Sequence, residues 1–374
     1  SLQIYDYVAM KTVLDSVPFF DYPQLFLEHK EKLMAVVQDV MSRGAFILQR
    51  DLEQFEENLA RYVQVKHVVG VANGTDALII ALKAIGIGRG AEVIVPSHTY
   101  VASVAAIHFS GATPVLVECG LDRLIDLESV EAAITSRTKA IMPVHLNGRT
   151  AAMDALQKIA DEHDLRIVED AAQALGSQYR DRFAGTFGAA GTFSFYPAKL
   201  LGCFGDGGAV VTDHDEVAQR IRLLRDHGRD PEGVVKDWGF NSRLDNLQAA
   251  ILNLKLESLD QAITRRRTLA QLYQERLGQL RQLRLPPAPD ADPNHYDVYQ
   301  NYEIEAEQRR GTLLVQGFDD AVSGICTYPP TQDAAPPKLA VCCLSGAVQV
   351  WDHRDKRLEI MRMLPVPEAA GGAG

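Results

Sequence analysis

Between about Val63 and Thr212 the chain alternates short β-branched and aromatic runs with segments of helical period. The runs are HVVGV, EVIVP, PVLV, KAIMPV, LRIVE, TFSFY and AVV. Strands alternating with helices predict a mostly parallel sheet of seven strands, covered by helices on both faces. Two of the intervening segments are good amphipathic helices: TDALIIALKAI, which ends at Gly86, and MDALQKIADEHD, whose apolar positions recur at three and four. A chain of 374 residues exceeds one domain of ~100 to 200 residues. The long helical stretch DNLQAAILNLKLESLDQAITRRRTLAQLYQERLGQL runs toward the breaker-rich PPAPDADPNHYD, and the expected boundary lies inside it. Residues 1–255 form a large α/β domain on this reading, and 256–374 a smaller one that closes in the tail EAAGGAG.

Composition narrows the partners. With 47% hydrophobic and 23% charged residues the chain is an ordinary globular sequence rather than a fibrous or disordered one. Its net charge of −11 repels a phosphate backbone and argues against nucleic acid. No apolar run approaches the ~20 residues of a membrane helix, and SLQIYDYVAM does not read as a targeting segment, so a cytoplasmic protein is expected. Cys119, Cys203, Cys326, Cys342 and Cys343 are odd in number and lack C-x-x-C spacing, which predicts neither a disulfide framework nor a metal site.

Three segments carry chemistry. In VVGVANGTDALIIAL a strand runs through Asn73, Gly74 and Thr75 straight into a helix, so that Gly74 and Thr75 are candidates to hold a phosphate. A plain helix start capped by Thr75 or Asp76 is the alternative. In LRIVEDAAQALGS the strand delivers Asp170 to its carboxyl end, where ligands of open α/β sheets sit, and Gln173 comes three residues later; a solvated or capping aspartate is the alternative. In GTFSFYPAKLLGCFGDGGAVVT, Ser194 lies near a strand end and Lys199 comes next, a residue that is either a nucleophile toward carbonyls or a surface cation. Gly205, Gly207 and Gly208 match neither G-x-x-x-x-G-K-[ST] nor G-x-G-x-x-G, and GIGRGAE reads as a helix stop.

Over roughly residues 40–260, the strings ANGTDAL, PSHTYVAS, VEDAAQALGS, SFYPAKLLGCFGDGGAVVT and GFNSRLDNLQAA resemble, in order and separation, the DegT/DnrJ/EryC1/StrS nucleotide-sugar aminotransferases. These are pyridoxal-phosphate enzymes of the aspartate aminotransferase fold, fold type I. The resemblance implies that Lys199 forms the cofactor Schiff base and then carries the proton between carbons. It implies that Asp170 keeps the pyridine nitrogen protonated and that Gln173 bonds the ring hydroxyl. Gly74, Thr75 and Ser194 would hold the phosphate, and Tyr100 would stack on the ring, with His98 as a second stacking or substrate-side aromatic. Asn241 and Arg243 would reach the phosphate held by the partner subunit, making a homodimer with shared sites; a cap and a solvated charge at the start of DNLQAAIL is the alternative. Phe46 lies near the expected substrate entrance, and Arg229, Lys236 and Arg243 are candidate partners for a nucleotide diphosphate.

The implied reaction moves nitrogen from L-glutamate to a nucleotide-linked keto sugar in two half-reactions, for a surface polysaccharide or a glycosylated natural product. SFYPAK with GDGGA looks more like members acting on 3-keto than on 4-keto sugars. A related dehydratase class replaces the Schiff-base lysine by histidine, which Lys199 contradicts, and a nicotinamide dehydrogenase lacks its fingerprint here. A regulatory or degenerate member that binds cofactor without turnover is the non-enzyme reading, supported only by the C-terminal part. Leu200 stands where the family usually has asparagine, and Gln49 where glycine is frequent. After about residue 305, VYQNYEIEAEQRRGTLLVQ lacks the helix expected between YEIEAE and GTLLVQ. The stretch PPKLAVCCLSGAVQVWDHRDKRLEI then departs from the family until MLPVP, as an unusual domain or a deletion with a shifted frame would.

Overall fold

The computed structural model describes residues 20–281 and 283–306, and beyond them the backbones of strands Leu313–Val315, Ile325–Thr327, Leu339–Cys342, Ala347–Asp352 and Arg357–Arg362. The segment expected to lack its helix, 307–312, and the tail EAAGGAG lie outside the described residues. The chain divides into two compact units. One holds Tyr22–Leu272 with Pro287–Asn301; the other includes Tyr273–Pro286 and the strands from Tyr302 onward.

The first unit is built on seven strands: β1 His67–Val71, β2 Glu92–Pro96, β3 Thr113–Val117, β4 Thr138–Ile141, β5 Arg166–Asp170, β6 Ala190–Ser194 and β7 Gly208–Thr212. Their spatial order is β1-β7-β6-β5-β4-β2-β3. Neighbours pair in parallel except β7, which is antiparallel to both β1 and β6, with Val69 opposite Val210 and Ser194 opposite Gly208. The exception has a local cause: β6 and β7 are joined by the glycine-rich return 195–207 instead of a crossover helix. The return therefore lies at the edge of the sheet where the parallel strands end.

Period-two side chains sort the strands between two faces. Val69, Val71, Val93, Val95, Ala140, Val168, Ala190 and Val210 pack on one side against helices α4 (Gly74–Ala84), α5 (Val101–Ser110) and α8 (Asp215–Arg225). On the other side, Val68, Phe193, Ala209 and Val211 meet α3 (Arg50–Val63), α9 (Asn246–Leu256) and α10 (Leu259–Leu277). There Ile94, Ile141 and Ile167 meet α7 (Met153–Glu162), with Val130 of α6 (Leu127–Ala133) alongside. Ahead of these lie α1 (Tyr22–Glu28) and α2 (Lys30–Arg43). In α3 the buried Leu52, Phe55, Leu59 and Val63 recur at three and four, and each contributes about 1.5 to 3 kcal/mol of burial. The long helical stretch of the sequence is two helices. After Lys255, the Ser258 amide and hydroxyl both donate to the Lys255 carbonyl, and α10 starts afresh at Leu259. Among the described residues no helix is long and apolar enough to cross a membrane.

Candidate active site

The carboxyl ends of β1, β5 and β6 and the start of β7 converge on one edge. β1 leads through Asn73 into α4, whose cap is Asn73 itself: its side-chain oxygen accepts the Asp76 N–H at 2.8 Å. Neither Thr75 nor Asp76 does the capping, which leaves the Thr75 hydroxyl for another partner. Gly74 is pressed against β6, where a Cβ would fall 2.7 Å from the Ser194 Cβ. Gly208 is as tight, since its Cβ would lie 2.5 Å from the Asn73 carbonyl. The glycines of ANGT and GDGG thus let the first turn of α4 sit on the ends of β6 and β7, beside the Ser194 hydroxyl. That makes a small cradle of backbone N–H groups and hydroxyls, the chemistry a phosphate requires.

Asp170 closes β5 and is 6% exposed. Its carboxylate accepts from the Ser103 hydroxyl at 2.7 Å and the Ala172 N–H at 3.1 Å. Ser103 in turn lies 2.7 Å from the Thr99 hydroxyl, so a two-hydroxyl chain at the entry to α5 holds one face of the carboxylate. Behind it, buried Glu169 accepts from His145 Nε2 at 2.8 Å and from the amides of Gly185, Phe187 and Gly188. Because His145 Nδ1 accepts the Ala151 N–H, the proton of the neutral ring is on Nε2.

Lys199 lies beyond β6 in a turn closed by its own N–H to the Tyr196 carbonyl at 2.8 Å. The residue as a whole is half-buried, but its amine is desolvated, which pulls its pKa from 10.5 down to about 8 against the opposing pull of the Asp170 charge. Leu200 packs its side chain into the core on the α3 face. Gln173 presents its side-chain oxygen to the Asn147 N–H at 2.7 Å, which fixes the other end of the amide as the donor.

The aromatic candidates stand at the rim. Tyr100 caps α5 and is 59% exposed, and His98 is half-buried two residues before it. Phe46 is exposed and holds the start of α9 through its carbonyl. Asn241 and Arg243, with Ile47, Ala72, Gly205, Asp206, Asp245 and Gln248, line an open cleft of about 420 Å³. Arg243 donates to Asn241 and, at 2.6 Å, to Asp226. Arg229 is also bonded to Asp226 and Lys236 to Asp230, so all three candidates for a diphosphate are already engaged with carboxylates. Among the described residues no group of His, Cys, Asp and Glu side chains could hold a metal ion.

Residues 28–342 match the profile of the DegT/DnrJ/EryC1/StrS aminotransferase family. This chain belongs to that family. A Streptomyces venezuelae relative, dTDP-3-amino-3,4,6-trideoxy-alpha-D-glucose transaminase, is 47% identical over 308 residues, covering 81% of this chain and 80% of the relative. The crystal structure of S. venezuelae DesV in complex with a ketimine intermediate superposes with a TM-score of 0.75 at 46% identity, covering 79% of each chain. NtdA from Bacillus subtilis, solved with bound cofactor PMP, gives 0.73 at 32% identity over 79% of this chain and 68% of that one. The family enzyme is a fold type I aminotransferase that uses pyridoxal phosphate. The residues present fit that cofactor: a cradle too tight for any side chain at Gly74, a buried carboxylate at the end of β5, and a lysine amine with a depressed pKa.

The motifs pointed to none of Thr99, Ser103, Asn147 or Gln300, the last of which bonds the backbone beside Lys199. Thr99 precedes the cap of α5 and Ser103 lies in its first turn, so their contact depends on how the chain enters the helix. No local signal connects the others to the site.

Proposed function

We propose that this chain transfers an amino group from L-glutamate to the keto carbon of a nucleotide-linked sugar, at C3 in preference to C4. The observation that carries the reading is the Lys199 amine with its pKa near 8, within reach of the Asp170 charge. At pH 7 about a tenth of such amines are neutral, against roughly three in ten thousand for an ordinary lysine. Burial therefore raises the supply of reactive amine well above that of an ordinary lysine.

When bound, pyridoxal phosphate supplies an aldehyde for an amine and a ring that takes up the electron pair left by a departing proton. The chain does the rest. Lys199 Nζ takes the proton from one carbon and returns it to another, and its pKa suits both tasks. Asp170 holds a proton at the ring nitrogen, with Ser103 and Thr99 fixing its carboxylate. Gln173 would donate to the ring hydroxyl through its amino group, its oxygen being held by the Asn147 N–H. Gly74, Thr75 and Ser194 bind the phosphate, and Tyr100 covers the ring. Asn241 and Arg243 reach the phosphate held by the other chain of a homodimer, and Phe46 and His98 border the sugar.

SFYPAK with GDGGA supports the C3 preference, as does the relative whose name places the amine at C3. The test is the visible absorbance of the loaded protein. L-Glutamate alone should discharge the band, and a nucleotide-linked 3-keto sugar should restore it faster than its 4-keto isomer. A band indifferent to every amino acid would instead mark a member that binds cofactor without turnover.

A further inference from the structure

Lys199 sits in a turn rather than in a helix or strand, so its direction depends on what holds the turn. We propose that Gln300 is a positioning residue for Lys199: its side-chain amide clamps the backbone on both sides of the lysine and sets where the amine points. The inference rests on the role given to Lys199 under Proposed function.

Gln300 is 4% exposed. Its Oε1 accepts the Leu200 N–H at 2.9 Å and its Nε2 donates to the Ala198 carbonyl at 3.0 Å. One planar amide therefore grips the residues before and after Lys199. The flipped amide would set donor against donor and acceptor against acceptor, so the grip has one orientation.

Gln300 is itself held. The carbonyls of Tyr299 and Gln300 both accept from Arg266 Nη1 at 3.2 Å. Tyr299 lies at φ +49°, a left-handed conformation that a bulky residue adopts only when its surroundings impose it. Its hydroxyl donates to the Pro287 carbonyl at 2.8 Å. Against this segment lies Gly148, at φ +92°, where a Cβ would come within 2.9 Å of the Tyr299 and Gln300 amide nitrogens. Val298 N–H donates to the Gly148 carbonyl, and Asn301 Nδ2 to Asn147 Oδ1 at 3.1 Å. Asn147 is the residue that orients Gln173. Segment 298–301 therefore ties the lysine turn to the ring-hydroxyl donor.

A turn released from Gln300 admits water to the amine. The charged group acting on that amine is Asp170, whose pull raises the pKa, so loss of desolvation leaves nothing to hold it down. Gln300→Met keeps the length of the side chain and removes both bonds. Gln300→Glu keeps the acceptor for Leu200, and regains a donor for Ala198 only when protonated.

The full-length chain without cofactor is reductively methylated across a pH series, and the Lys199 peptide is read by mass spectrometry. In Gln300→Met the midpoint of Lys199 reactivity should rise by about one pH unit or more. In the loaded enzyme kcat should fall about tenfold with the donor KM unchanged, as loss of an interaction used in the transition state requires. Activity of Gln300→Glu relative to the parent should recover as pH falls. An unchanged midpoint and kcat in Gln300→Met overturns the proposal. Should that variant fail to fold, a Gln300→Glu pH profile parallel to the parent overturns it equally. Full activity in Lys199→Ala would overturn the reading of Lys199 instead, and would leave the methylation result standing.

Discussion

The end of β5 and the cleft beside Asn241 are both polar, and they differ in what surrounds the polar groups. At the first, Asp170 is enclosed, and the amine of Lys199 is desolvated enough to bring its pKa to about 8. At the second, Asn241 is exposed and Arg243 is bonded to Asp226 beside an open cleft of about 420 Å³. On the function proposed here, the same kinds of residue serve reaction in one place and binding in the other. Removing water amplifies an interaction several-fold, while an exposed ion pair is worth ~0 to 1 kcal/mol.

That contrast breaks first at Lys199. Lys199→Ala should lower transamination by at least about a thousandfold and leave no adduct that borohydride can fix. A rate within tenfold of the parent would show that burial at this end does not produce the reactivity. Asp170→Asn keeps the shape and removes the charge; the glutamate half-reaction, tracked by stopped-flow absorbance, should slow about a hundredfold.

Gly74→Ala tests the cradle alone. The added methyl meets the Ser194 Cβ, and overpacking of about 1 to 3 kcal/mol should appear as weaker cofactor binding by equilibrium titration. Binding equal to the parent's would mean that the glycine is not required for close approach.

A fourth test uses stability. The folded pKa of Lys199 lies below its ordinary value, so between about pH 8 and 10.5 the unfolded chain carries more protons and stability rises with pH. Discounted for its half-exposed stem, the cofactor-free parent should gain about 1 to 2 kcal/mol over Lys199→Met across that window, measured by urea unfolding. Parallel curves for the two proteins would contradict the desolvated amine. The smallest effect belongs to the cleft: Arg243→Ala should raise KM about three- to tenfold with kcat unchanged, and a fall in kcat would move Arg243 from binding toward chemistry.

Much of this architecture was legible in the chain alone. The runs HVVGV to AVV became seven strands in one mostly parallel sheet, and LRIVED placed Asp170 at a strand end. Both rest on local rules, the strand period and the exit of ligands beyond carboxyl ends. The helical stretch after residue 245 is interrupted between Leu256 and Leu259, at a place that apolar periodicity does not mark, because a serine competing for a backbone carbonyl leaves no trace in that pattern. Asn73 rather than Thr75 caps α4, since capping depends on where the strand releases the chain.

By itself the sequence determined the alternation and the glycines at the turns, carried by neighbours a few residues apart, and the family, carried by short strings in a fixed order along the chain. Only the tertiary structure decided that Gly74 abuts Ser194, that Ser103 holds Asp170, and that Gln300 grips the turn of a lysine about a hundred positions earlier. The depressed pKa of Lys199 belongs to the same class. Desolvation is a property of filled volume, and the groups that fill it come from segments whose order in the chain carries no record of their distance in space.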